Sequence, residues 1–106
     1  MRIAVTYEDG KVFEHLGKSE RFMIYDIEAG KVKIKTLINT NGKRRGALAH
    51  ILKDIGVDAL ICGGVGEGAM RALKEAEVRF CSGITGETDE AVERFLKGEI
   101  KPDSAL

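Results

Sequence analysis

Ala59-Leu60-Ile61-Cys62-Gly63-Gly64-Val65-Gly66 is the stretch that decides the fold. An apolar run of strand length stops at a glycine turn, and Met70 and Leu73 behind it stand at helical spacing. Val78 to Cys81 repeats the short apolar run, and Ala91, Val92, Phe95 and Leu96 repeat the helical spacing. Strand, helix, strand, helix in succession predicts right-handed crossovers between parallel strands.

Upstream the pattern is different. Arg2 to Tyr7 and Arg21 to Ile27 are apolar on both alternating faces, as in Phe22-Met23-Ile24-Tyr25, which predicts strands covered on both sides. Lys31 to Ile38 instead alternates Lys31, Lys33 and Lys35 with Val32, Ile34 and Thr36, and Ala29-Gly30 ahead of it suits a tight hairpin turn. That strand reads as a lysine-protected edge. Asn39-Thr40-Asn41-Gly42 breaks the pattern, and Leu48, Ile51, Leu52 and Ile55 predict a first helix stopped at Gly56. Thr88, Asp89 and Glu90 suit the start of the last helix and Gly98 its end, with residues 1–98 as one domain and 99–106 as a tail.

The order β-β-β-α-β-α-β-α, a meander followed by crossovers, is the ribonuclease H-like arrangement of a five-stranded mixed sheet with three helices. If the first strand is central and antiparallel to the second, then strands one, three, four and five share a direction. Loops 8–20, 39–44, 63–67 and 82–87 then cluster at the carboxyl edge, where open α/β sheets bind their ligands.

Composition narrows the function. The chain has 106 residues, 43% of them hydrophobic, which suffices for one domain with one core. Lys plus Arg and Asp plus Glu number 17 each, so no net field draws in nucleic acid or an anionic membrane. The N-terminus lacks the apolar run of a signal peptide and no later run reaches membrane-spanning length, so a cytoplasmic protein is expected. In a reducing compartment Cys62 and Cys81 are expected as thiols, and their spacing matches no CxxC motif.

The opening Met1-Arg2-Ile3-Ala4-Val5, the Glu14-His15-Leu16-Gly17-Lys18-Ser19 turn followed by Phe22 and Tyr25-Asp26-Ile27, the Cys62-Gly63-Gly64-Val65-Gly66 turn, and Ala91-Val92-Glu93-Arg94-Phe95-Leu96-Lys97-Gly98-Glu99 together resemble the dinitrogenase iron-molybdenum cofactor biosynthesis family. That family includes NifX, the carboxy-terminal domain of NifB and orange-protein-like members. The resemblance covers nearly the whole chain, and its specificity lies in the order and spacing of the stretches. It implies a non-enzymatic protein that binds or delivers an iron-sulfur or molybdenum-containing metal-sulfur cluster, or its precursor, with an assembly or acceptor protein as partner. Many relatives carry a glycine- and histidine-rich loop near Asn41 that this sequence lacks, which leaves electrostatic holding as the option there.

The candidate ligands lie in the predicted edge loops. His15 sits in a turn where an imidazole can reach a bound cluster and change protonation near neutral pH; the competing reading is a surface histidine bonded to backbone. His50 projects roughly 160–200° from its helix's apolar stripe at about 100° per residue, so it reads as solvated. Cys62 and Cys81, ending neighbouring strands about 4.8 Å apart, read either as soft metal ligands or as small buried core residues. Gly63, Gly64 and Gly66, with Ser82 beside them, read either as backbone donors to an anion or as a close-packed turn. No GK[ST] follows, so this is no P-loop, and Glu67 opposes a phosphate. Gly42 with Lys43, Arg44 and Arg45 reads as a cradle for an anionic cluster or as a solvated helix start.

Two rival functions are weighed. A metal-dependent nuclease needs carboxylates on the central strands. Arg2 to Tyr7 contains none, and Asp58 lies at the wrong end of its strand. The other rival is a cofactor-free interaction module recognised through Lys31 to Ile38.

Overall fold

Arg2–Glu8 forms β1, the centre of the sheet, with Ile3, Ala4 and Val5 sealed from solvent on alternating faces. A computed structural model of the chain describes residues 1–40 and 45–102. Around β1 stand Lys11–Val12 (β2), Arg21–Glu28 (β3), Lys31–Asn39 (β4), Ala59–Ile61 (β5) and Phe80–Cys81 (β6), with helices Arg45–Asp54 (α1), Glu67–Glu75 (α2) and Thr88–Leu96 (α3). The sheet runs β4-β3-β1-β5-β6, and β2 pairs only with β1.

The chain is a mixed α/β protein with three helices among the described residues and a mixed sheet, as expected. The expectation of five strands is corrected to six among the described residues. Tyr7 pairs with Val12 and Glu8 with Lys11 around Asp9 and Gly10, which take φ of 48° and 84°. Asp-Gly is a strong two-residue hairpin signal, and here it turns the start of loop 8–20 into β2. Ala29 and Gly30 make the second such turn, with φ of 55° and 75°.

β1 is antiparallel to β3 and β3 to β4, while β1–β5 and β5–β6 are parallel. β1, β4, β5 and β6 therefore point one way and end at one edge. Side-chain alternation splits the interior in two. Ala4, Phe22, Ile24, Leu60, Cys62 and Phe80 meet Leu48, Ala49 and Leu52 of α1 and Ala69 and Leu73 of α2. Ile3, Val5, Tyr25, Ile27, Ile61 and Cys81 meet Ala91 and Val92 of α3 on the other face. Ile100, expected in the tail, is buried in this second layer.

The helix stops follow their sequence signals. Gly56 and Gly98 take φ of 75° and 80°, and the N–H groups of Val57 and Glu99 reach back to Leu52 and Arg94 carbonyls at 3.1 and 2.9 Å. α2 ends the same way without a glycine, because Glu77 occupies the left-handed region at φ 59°. α1 and α2 cover one face while α3 alone covers the other, and this leaves β4 mostly exposed along its length. Among the described residues no helix is long and apolar enough to cross a membrane.

Candidate functional site

The first loop of the carboxyl edge is fastened to the second by backbone bonds. Gly63 N–H donates to the Phe13 carbonyl at 3.2 Å, Gly64 N–H donates to the Glu14 carbonyl, and Leu16 N–H donates to the Gly64 carbonyl at 3.0 Å. His15 thus lies beside Gly64 in a short parallel bridge, held extended at φ −129° and ψ 111°. The third loop joins through Gly83 N–H to the Gly63 carbonyl at 2.8 Å and Ile84 N–H to the Cys62 carbonyl at 3.1 Å. Loops 8–20, 63–67 and 82–87 therefore form one platform, three of the four loops the topology predicts to cluster; most of the fourth, 41–44, lies outside the described residues.

Glycine is a steric requirement at its centre. A Cβ on Gly63 would stand 2.7 Å from the carbonyl oxygens of both Phe13 and Glu14 and 2.8 Å from Glu14 Cα. Beside it, a Cβ on Gly64 would lie 3.0 Å from the Glu14 oxygen and 3.6 Å from His15 Nδ1, so the imidazole rests over the bare glycine. The close-packing reading of Gly63 and Gly64 is therefore built into the structure, and these amides are spent on protein carbonyls. Gly66 caps α2, whose first-turn N–H groups face the same edge with Glu67 among them.

His15 combines a fixed backbone with an available ring. Leu16 behind it is buried and begins the short 3-10 turn Leu16–Lys18, while the His15 side chain is 60% exposed and 3.8 Å from a Glu14 carboxylate oxygen. His50 is exposed on α1. Cys62 and Cys81 are both fully buried, Cys62 in the α1–α2 layer and Cys81 in the α3 layer. The two thiols face opposite sides of the sheet, which a register of Ile61 with Cys81 enforces, so they do not converge on a shared ion. The Cys62 thiol lies 3.6 Å from the Cys81 carbonyl oxygen. Ser82 is half-buried beside Gly83. Gly42, Lys43 and Arg44 lie outside the described residues, and Arg45 opens α1. Among the described residues no group of three or more His, Cys, Asp or Glu side chains is arranged to hold a metal ion.

The sequence reading missed a polar cluster behind the platform. The buried Tyr25 hydroxyl donates to Asp89 Oδ1 at 2.6 Å and lies 2.8 Å from Thr88 Oγ1, and Lys35 Nζ reaches Asp89 at 2.8 Å. Lys35 also stands 5.6 Å above the Tyr25 ring. Burial, then the hydrogen bond to Asp89, pushes the Tyr25 hydroxyl well above its ordinary pKa. The bond from Lys35, then that from Tyr25, holds the Asp89 carboxyl below its ordinary value. Tyr25 looked like one more apolar residue of a buried strand, and Thr88 like a cap. No local pattern announces their meeting across 63 residues.

The family model described as dinitrogenase iron-molybdenum cofactor matches residues 1–98. An uncharacterized protein of Methanocaldococcus jannaschii is 30% identical over 107 residues, covering 95% of this chain and 90% of its own. The crystal structure of the protein PH0822 superposes with a TM-score of 0.86 at 27% identity, covering 99% of this chain and 96% of that one. The apo form of the orange protein from Desulfovibrio gigas does so with a TM-score of 0.79 at 28% identity, covering 97% and 96%.

Proposed function

The chain belongs to the dinitrogenase iron-molybdenum cofactor family, and from that premise we propose that it is a cytoplasmic, non-enzymatic carrier of a metal-sulfur cluster or its precursor. Residues 1–98 act as the cofactor-type domain on a ribonuclease H-like sheet, whose meander-then-crossover strand order supports that assignment. The cluster, iron-sulfur or molybdenum-containing, is cargo that an assembly or acceptor protein supplies or removes. The family's own description, which names an iron-molybdenum cofactor, supports a molybdenum-containing cargo as readily as an iron-sulfur one.

The observation that carries this reading is the pose of His15, an exposed imidazole on a backbone pinned to the glycine turn at the carboxyl edge. One imidazole among backbone loops does not make a closed ligand cage, and the two buried cysteines do not add to it. The described residues thus fit a cargo held loosely enough to be handed on, with His15 as its side-chain contact; the basic run 43–45, read from the sequence alone, would supply a countercharge. Since among the described residues no ligand set knits the core together, the chain is expected to fold before it is loaded.

The test is anaerobic loading with a metal-sulfur cluster followed by gel filtration. Wild type and His50→Ala are expected to retain equal cluster absorbance, while His15→Ala loses the cluster about tenfold more readily, the scale of losing one partner at a metal site. Equal retention by all three would remove His15 from the site. The exposed β4 favours a second reading, the cofactor-free interaction module, which a colourless wild type under every loading condition would support.

A further inference from the structure

Three of the four large hydrophobic side chains that stand exposed among the described residues lie on one strand: Val32 at 40%, Ile34 at 53% and Leu37 at 49%, all on β4. β4 is also an edge of the sheet, with β3 on one side only. Apolar side chains on an open strand edge call for a covering partner, because the unpaired backbone offers a template for another strand.

The register decides which backbone groups are open. Thr40 N–H donates to the Glu20 carbonyl at 2.7 Å, one step beyond the Phe22–Ile38 pair. Hydrogen-bonded pairs alternate, so Ile38, Thr36 and Ile34 bond inward to β3, and the N–H and C=O groups of Leu37 and Lys35 point outward. The strand carries a bulge at its start: Ile34 pairs with Asp26 and Val32 with Ile27, leaving Lys33 as the extra residue. The bulge and two of the three lysines are thus at the 31–33 end, and 34–39 is regular with Lys35 as its one lysine.

We propose that β4 pairs antiparallel with β4 of a second copy of this chain, with Thr36 on the two-fold axis, continuing the sheet across both copies. In this register the outward-facing Lys35 and Leu37 of one copy oppose Leu37 and Lys35 of the other. Ile34, the most exposed apolar residue of the strand, meets the half-buried Ile38, and Lys33 meets Asn39. No lysine opposes a lysine. Moving the axis to Lys35 sets the two Lys35 ammonium groups against each other, and moving it to Leu37 sets Ile34 against the buried polar Thr40. Only the register centred on Thr36 covers Ile34 with an apolar side chain and sets no lysine directly opposite another. A seam of this length lies at the small end of specific interfaces, so the dimer is weak and reversible.

Leu37→Glu and Leu37→Lys test the pairing by sedimentation equilibrium up to about 1 mM protein. Both remove the same apolar side chain, and because the chain's formal net charge is +0 they leave equal and opposite charges, so general repulsion is alike. In the proposed register the glutamate meets Lys35 of the other copy twice, and the lysine meets it twice with the wrong sign. The expected result is a concentration-dependent wild-type dimer, with Leu37→Glu associating roughly tenfold or more tighter than Leu37→Lys and the gap closing as salt is raised. Circular dichroism checks that each variant is folded. A wild type that stays monomeric throughout, or folded variants that associate equally, would overturn the proposal; the second result also marks a register with Leu37 opposite itself.

Discussion

The parallel half of the sheet and its antiparallel half are stabilised by different means. At the carboxyl ends of β1, β5 and β6, three loops are tied by backbone hydrogen bonds through Gly63 and Gly64, with no room for a side chain at Gly63. At β3 and β4 the outer strand is left exposed, and the attachment to α3 is made by side chains, Tyr25 and Lys35 meeting Thr88 and Asp89. The first arrangement fixes positions closely and tolerates no added atom. The second tolerates substitution but depends on charge, and therefore on pH. A loop platform that must present His15 in one pose is well served by the first, and a strand that meets a partner by the second.

The sharpest way to break this contrast is Gly63→Ala. The added methyl would clash with backbone at 2.7 Å, which no rotamer change relieves, and a loss of about 3 kcal/mol is expected in urea unfolding. A loss below about 0.5 kcal/mol, the scale of a neutral surface change, would mean the platform yields easily. In the antiparallel half, Tyr25→Phe removes the shared hydroxyl and should cost less, about 1 kcal/mol, because the mostly exposed Asp89 keeps Lys35 and water as partners.

In the second half two groups carry a pH dependence, Asp89 and Tyr25. Asp89 has a lowered folded-state pKa, so its stabilisation is present above the unfolded value of about 3.9 and is lost as pH falls through the folded one. Tyr25 has a raised folded-state pKa, so its contribution is complete below about pH 10 and is lost as pH rises beyond it. Melting temperatures of wild type and Asp89→Asn should therefore differ near neutral pH and converge in acid. Parallel curves down to about pH 3 would separate Asp89 from the acid response.

How legible these halves were follows from the range of the signal. The central strands, the edge strand, the shared direction of four strands and the clustering of three loops were readable because periodicity and glycine stops are local, as at Ile61-Cys62-Gly63 and Leu96-Lys97-Gly98. The Asp9-Gly10 turn carries its own hairpin signal, but β2 is only two residues long and shows no periodicity. The faces of Cys62 and Cys81 were not readable, because which side a strand's end residue takes depends on pairing register, and a single step moves it across the sheet. Nor was the Tyr25–Asp89 contact, which depends on how α3 packs.

The smallest expected effect is a gain. Glu77 holds a left-handed conformation at the end of α2 where α1 and α3 use glycine, so Glu77→Gly should raise stability by about 0.5 kcal/mol, the relief of backbone strain less the added freedom of the unfolded chain. A measurable loss instead would show that the Glu77 side chain holds something the geometry does not reveal.

The central claim is that cargo meets the backbone-locked platform and leaves β4 untouched. Proton–nitrogen correlation spectra of the protein before and after loading with a paramagnetic iron-sulfur cluster test it directly. The account predicts that amides of Phe13 to Leu16, Gly63 to Gly66 and Ser82 to Ile84 broaden or vanish, while those of Lys31 to Leu37 keep their positions and widths. Broadening concentrated on Lys31 to Leu37, with Gly63 and Gly64 unchanged, would contradict it.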